Sequence, residues 1–336
     1  MHNIKTLFLN INQLNQYKII AQFNDWGKQK RAFFFCIDFE MKQCIAYPAD
    51  EIDNRLLLFN FNGKSNENAD SIFKNALINS KKPVDFQKYE KAFHTVKSEL
   101  HHGNSYLLNL TFPTEITING SLKDIYYSAR AKFKVLYKNE FVFFSPETFA
   151  EIKDQKIIVH PMKGTIDASL ENAEQRILTN TKEMAEHATI VDLLRNDLSM
   201  VAENVKVSDY RYLTHLKTTG KNLIQVSSAI AGDLPPDYHK NIGDIIFRML
   251  PAGSVSGAPK EKTVQIIRSV EKSERGFFTG ISGFFDGQNL DSCVNIRFIE
   301  NLNGKYLYRS GGGITIHSRA EDEYNEMIDK VYVPIA

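Results

Sequence analysis

Glu183 and Glu186 stand three residues apart in a segment of helical pattern, and Glu323 and Glu326 repeat that spacing near the C-terminus. Residues so spaced share a helix face, where paired like charges cost stability unless a cation or a salt bridge takes them up. Two such helices facing one another would offer the hard oxygen donors that suit Mg²⁺, with some of its waters retained. Upstream lies Pro161-Met162-Lys163-Gly164-Thr165. Proline and glycine fix a turn there, and a lysine held in a dry pocket loses its proton readily enough to act as nucleophile or base. Taken singly, Lys163 also reads as an exposed lysine. Each glutamate pair likewise reads as a solvated face with Lys182 or Lys330 beside it.

Glu147 follows Ser145-Pro146 after the apolar run 141–144. A partly desolvated carboxylic acid at a strand end suits protonation of a leaving hydroxyl. The plain alternative is an acid at a helix N-terminus beside Pro146. Two glycine-rich stretches can turn backbone N–H groups toward a carboxylate: Pro251-Ala252-Gly253-Ser254-Val255-Ser256-Gly257-Ala258-Pro259-Lys260 before a helix, and Ser310-Gly311-Gly312-Gly313 after a strand. The first lacks the Walker arrangement, and neither has the dinucleotide G-x-G-x-x-G pattern. Arg297 alternates within an apolar strand and needs an anionic partner, either a ligand carboxylate or a structural salt bridge. His215 can orient a substrate, shuttle a proton, or serve as a satisfied structural histidine. His101 and His102 have no matching acid or cysteine pattern and read as loop residues.

The elements that must hold these residues follow from apolar period and punctuation. Runs at 31–39 and 55–60 read as strands, and 62–70 as a polar loop. Residues 86–100 carry helical spacing at Tyr89, Phe93, Val96 and Leu100. Strands are expected at 105–112, 132–137, 140–144 and 155–160, with Glu147 and Lys163 at strand ends. Asp167 or Ser169 is placed to cap the helical stretch 171–198, which breaks near Thr179-Asn180. Its apolar stripe runs through Met184, His187 or Ala188, Val191, Leu194 and Leu198. Period alone leaves 223–230 open between strand and helix. Helices are expected at 241–250, 261–270 and 320–330, and hairpin strands at 277–285, 292–299 and 305–309. The order lacks regular βαβ spacing, which favours α+β with mainly antiparallel sheet.

At 336 residues the chain fits one large two-layer domain or two closely packed lobes, divided as a short N-terminal portion, 1–84, and a catalytic portion, 85–336. Lys and Arg number 41 against 40 Asp and Glu, a balance that excludes a broad nucleic-acid surface but not a focused anion site. Cys36, Cys44 and Cys293 form no close ligand pair and read as buried small hydrophobes. No run approaches the roughly 18 apolar residues of a spanning helix, and no basic stretch leads an apolar one at the N-terminus. No membrane partner and a cytoplasmic location are the expectation.

Taken in order, these segments resemble the chorismate-utilising enzymes. The resemblance rests on Ser-Pro-Glu at 145–147, Pro-Met-Lys-Gly-Thr at 161–165, Ala-Glu-His-Ala-Thr-Ile-Val-Asp-Leu-Leu-Arg-Asn-Asp-Leu at 185–198 and His-Leu at 215–216. It continues through Gly-Ser-Val-Ser-Gly-Ala-Pro-Lys at 253–260, Ile-Arg at 296–297, Gly-Gly-Gly-Ile at 311–314 and Glu-Tyr-Asn-Glu at 323–326. It covers the chain from about residue 85 onward, and matches the earlier part only loosely.

The resemblance implies an α+β sandwich of two large antiparallel sheets with helices outside and the active site in a cleft. It implies Mg²⁺ bridging the ring carboxylate of chorismate to Glu183, Glu186, Glu323 and Glu326, without dividing direct ligands from those that hold metal water. It gives Arg297, Lys260, Thr165 and the backbone of Gly257, Ala258, Gly311, Gly312 and Gly313 to the substrate, and makes His215 a supporting contact. Lys163 selects the branch. Anthranilate synthases usually have alanine at the matching position. A lysine there is similar to the aminodeoxychorismate synthases, in which it adds to the ring carbon beside the carboxylate-bearing one while an acid, here Glu147, protonates the departing 4-hydroxyl. Ammonia then expels the lysine. No glutaminase segment is recognisable in these residues, so a separate glutamine amidotransferase subunit is the implied ammonia source. Anthranilate synthase, isochorismate or salicylate synthase, and a non-enzymatic scaffold are the alternatives.

Overall fold

A computed structural model describes residues 9–10, 13–67, 73–217 and 222–335. The polar loop expected at 62–70 lies partly outside them. Among the described residues two antiparallel sheets face each other. The first runs, in spatial order, Leu9–Asn10, Gln43–Pro48, Phe33–Ile37, Ile281–Phe285, Leu290–Val294, Thr148–Lys153, Lys156–Val159, Asn222–Asp233 and Met162–Asp167, with Glu203–Lys217 also paired to Asn222–Asp233. The second runs Gly257–Ala258, Leu107–Ile118, Lys305–Ile314, Phe298–Leu302, Phe141–Ser145, Phe133–Tyr137, Leu57–Phe61 and Lys64–Ser65, with Ile78–Lys82 on the Leu107–Ile118 strand. Strands from before residue 84 are therefore interior members of both sheets.

Period-two alternation decides which side chains fill which layer. Phe34 and Cys36 point between the sheets, where they join Phe59, Phe61, Phe133, Val135, Phe143, Cys293 and Phe298. Phe33, Phe35 and Ile37 point the other way, onto Phe23 and Trp26 of the Gln13–Lys28 helix and Ile242 and Ile246 of the Ile242–Arg248 helix. On the outer face of the second sheet, Leu108, Leu110, Phe112 and Ile314 meet the helices Phe86–His101, Lys260–Glu271 and Ala320–Asp329. The result is a sandwich of two sheets with helices on both outsides. Cys36, Cys44 and Cys293 are free thiols in these layers, and burial pushes the Cys36 thiol up to about 12. Among the described residues no helix is long and apolar enough to cross a membrane.

The local signals hold at several boundaries. Asp85 caps the Phe86–His101 helix by accepting from the Gln87 N–H at 2.9 Å. The helical stretch breaks at Asn180, whose side chain accepts from Lys182 and Glu183 N–H and starts the Thr181–Ser199 helix. The preceding helix, Ala173–Thr179, begins after Asn172; Asp167 instead accepts from Ser169 in a local turn. Residues 223–230 are strand. The run 292–299 is not one strand: Leu290–Val294 ends in the first sheet and Phe298–Leu302 begins in the second. Arg297 lies in this crossover at φ 55°, where no strand alternation governs it. Met184 is exposed rather than part of the apolar stripe, while His187, Val191 and Leu198 are buried.

Candidate active site

The crossover at 295–297, the turn after Ser145 and the strand Met162–Asp167 open onto one cleft of about 260 Å³. Glu147, Lys163, Arg297, Gly311, Gly312, Gly313, Glu326 and Lys330 all line it. Segments far apart in sequence are thus brought together.

Lys163 reaches the cleft through a bulge. Met162 pairs with Ser227 and Thr165 with Gln225, so Lys163 and Gly164 together oppose Val226 alone. A two-against-one mismatch bends the strand and re-aims a side chain. Gly164 takes φ 96°, a backbone conformation that favours glycine, and a Cβ there would stand 3.0 Å from Glu183 Oε2. Lys163 Nζ lies 2.9 Å from Glu186 Oε2. Burial works against its charge, but Glu186, with Glu326 and Glu183 behind it, holds the ammonium above the ordinary lysine range. The sequence led to expect a lysine that sheds its proton. The converging carboxylates reverse that expectation.

The second glutamate pair sits on the Ala320–Asp329 helix, tied to the glycine strand by Ser310 Oγ donating to Met327 O at 2.8 Å. Lys330 Nζ bonds Glu326 Oε1 at 2.6 Å and donates to Gly311 O at 2.9 Å. Burial opposes ionisation of Glu326, yet Lys330 and Lys163 outweigh it and hold the carboxyl below its usual range. Glu323 is held above that range, by burial first and by its neighbour Glu326.

Gly311, Gly312 and Gly313 do not follow a strand but belong to one, Lys305–Ile314, opposite Thr111, Leu110 and Asn109. Its neighbour on the other side pairs only as far as Arg309, so from residue 310 that edge has no strand partner among the described residues. A Cβ on Gly312 would lie 3.2 Å from Glu323 Oε2 and 3.7 Å from Glu326 Oε1. Absence of a side chain keeps the space before those carboxylates clear.

Among the described residues no three His, Cys, Asp or Glu side chains are gathered as a metal-binding group. Lysine ammonium groups stand on Glu186 and Glu326 instead. The donor chemistry nonetheless suits a hard divalent cation, since four carboxylates from two helices all act on the region occupied by Lys163.

Glu147 accepts from Ser254 Oγ at 2.5 Å. Burial raises its pKa, and Ser254, Lys330 and Arg297 offset this only in part. Arg297 lays its guanidinium over the Tyr332 ring, 5.1 Å from the centroid. Its Nε is buried without a hydrogen-bond partner in the protein. A buried unpaired donor beside a cleft is suited to a ligand carboxylate.

Other expected site residues stand apart. His215 is 62% exposed and its Nε2 faces Glu174 Oε1 at 3.3 Å, away from the cleft lining. Lys260 bonds Asp197 Oδ1 at 2.8 Å and the Met249 carbonyl at 3.0 Å, outside the cleft lining. Gly257 and Ala258 pair with Leu108 and Leu107, and a Cβ on Gly257 would collide with the Leu107 carbonyl. Thr165 is exposed and outside the lining. Three contributors were missed: Ser254 on Glu147, Lys330 as a cleft cation, and His187 beneath Lys163. Lys330 was legible as the residue four after Glu326, and His187 as a polar residue on an apolar stripe.

Residues 12–336 match the model of the chorismate binding enzyme family. The chain is 49% identical over 323 residues to an uncharacterized PabA-like protein of Haemophilus influenzae, covering 96% of this chain and 98% of that one. It is 31% identical over 261 residues to aminodeoxychorismate synthase component 1 of Escherichia coli, covering 73% of this chain but 56% of that longer one. In structure it is similar to MenF, the menaquinone-specific isochorismate synthase of Escherichia coli, with a TM-score of 0.72 at 13% identity over 97% of this chain and 82% of that one. That last likeness concerns the fold. The chain belongs to the chorismate binding enzyme family.

Proposed function

We propose that this chain aminates chorismate at C4, giving 4-amino-4-deoxychorismate and water, with ammonia from a separate glutamine amidotransferase. The observation that carries the reading is Lys163 in the same cleft as the buried acid Glu147 and the unpaired donor of Arg297. A nucleophile, an acid and a carboxylate anchor are the three groups this displacement needs.

Arg297 and the open edge of the glycine strand hold the substrate carboxylates. Glu183, Glu186, Glu323 and Glu326 would hold Mg²⁺, which when bound supplies charge compensation for the ring carboxylate. Lys163 first gives up its proton to solvent and leaves its ion pair with Glu186. The free amine attacks C2, the two ring double bonds shift, and the C4–O bond breaks as Glu147 protonates the leaving hydroxyl. Ammonia then forms the C4–N bond, the double bonds return and the C2–N bond to Lys163 breaks. Glu147 recovers the proton lost by the incoming ammonia, and Lys163 recovers its own from solvent. The covalent detour divides one hard displacement into two aligned steps. Intact-protein mass spectrometry of the chain with chorismate and Mg²⁺, with and without ammonium, tests it. A chorismate-derived adduct on Lys163 that ammonium discharges supports the reading, and an adduct on any other residue contradicts it.

A further inference from the structure

From the residues beneath the bulge we infer that His187, with Ser228, is the positioning residue for Lys163. This rests on the reading of Lys163 as the nucleophile. At a two-against-one bulge the ladder cannot satisfy every backbone group. The Lys163 carbonyl is taken up instead by His187 Nδ1, 3.3 Å away. His187 is fully buried on the Thr181–Ser199 helix.

A carbonyl only accepts, so Nδ1 carries a proton. Ser228 Oγ lies within hydrogen-bond distance of Nε2, 2.7 Å away. Ser228 Oγ also accepts from the Arg211 N–H at 2.9 Å. Arg211 lies in a second bulge, since Tyr210 and Arg211 together oppose Ser228 between the pairs Asp209–Ala229 and Tyr212–Ser227. Tyr210 packs edge-on to His187 with centroids 5.9 Å apart. On its other edge Ser228 donates its N–H to the Pro161 carbonyl at 2.9 Å. Two bulges on opposite sides of one strand are thus locked through a histidine–serine pair, and the one that aims Lys163 depends on it.

The test compares the full chain with His187→Leu, His187→Asn and Ser228→Ala, with melting temperature recorded for each. Asparagine keeps an N–H near the Nδ1 position, whereas leucine keeps only bulk. The first readout needs no turnover: the rate of Lys163 modification by an amine-reactive ester, followed by peptide mass spectrometry. His187→Leu should label severalfold faster as Lys163 leaves its pocket, Ser228→Ala should shift the same way, and His187→Asn should stay within about twofold of wild type. The second readout is steady-state kinetics with chorismate. His187→Leu should lose about 10²-fold in kcat with little change in KM, and His187→Asn should recover most of it. Unchanged Lys163 labelling in a folded His187→Leu chain overturns the inference. If that variant does not fold, Ser228→Ala with wild-type labelling overturns it. Altered labelling in an enzyme whose product is not aminated leaves the inference standing and removes the functional reading.

Discussion

Lys163 Nζ and Glu186 Oε2 form an ion pair of 2.9 Å, so the proposed nucleophile and a proposed metal ligand bind each other. Lysine and cation therefore compete for one carboxylate. Lys163→Ala should abolish turnover yet bind a divalent cation at least as tightly as the wild type. A Mn²⁺ titration followed by electron paramagnetic resonance checks this. Weaker cation binding in the variant would contradict the competition.

Glu147 gives a pH signature with a definite sign. Burial raises its folded pKa, so between the ordinary and the raised value the folded chain holds a proton that the unfolded chain has released. Stability from this group is fullest below the ordinary carboxylate range and falls as pH rises through the raised value. Glu147→Gln removes that loss. Relative to wild type its melting temperature should gain as pH rises from the ordinary carboxylate range through the raised value. In the same variant kcat should drop by roughly 10²–10⁴-fold, since no acid remains for the leaving hydroxyl.

Arg297 sits in the crossover between sheets with its Nε unpaired. Replacing it by Lys keeps the charge but removes the planar fork. The expected result in steady-state assays is a rise in chorismate KM of about 10-fold or more, consistent with losing a charge-assisted hydrogen bond. A change confined to kcat would place Arg297 elsewhere in the reaction.

Arg275 and Glu271 form a buried pair that braces the cleft from behind. Arg275 is 1% exposed and binds Glu271 Oε1 at 2.7 Å, the Val255 carbonyl at 2.8 Å and the Asn109 carbonyl at 2.7 Å. Its guanidinium also stacks over Phe39. Arg275→Met should cost about 3–5 kcal/mol in urea unfolding, because it strands the Glu271 carboxylate. Adding Glu271→Met should return part of that loss.

What the sequence made legible was local. The break at Asn180 was legible because a cap is a bond to the next few residues. Phe33 to Ile37 announced a strand buried on both faces by its unbroken apolar run. The family motifs pointed to Glu147, Lys163, Arg297 and Glu326, which line one cleft. Strand Glu203–Lys217 was missed because its many polar residues hide the alternation. Arg297 was misread as an alternating strand residue because nothing local marks where the chain leaves one sheet for the other. The pairing of Lys260 with Asp197 was hidden because Asp197 comes from the distant helix Thr181–Ser199. The protonation of Lys163 was misjudged for the same reason. Burial is visible from the turn, but the charges that overcome it come from two helices elsewhere.

The most direct test of the central claim is product identification. The purified chain is incubated with chorismate, Mg²⁺ and ammonium, and the products are separated and identified by mass spectrometry against standards. The account expects 4-amino-4-deoxychorismate, and its loss on Lys163→Ala. Anthranilate or isochorismate as the dominant product would contradict it.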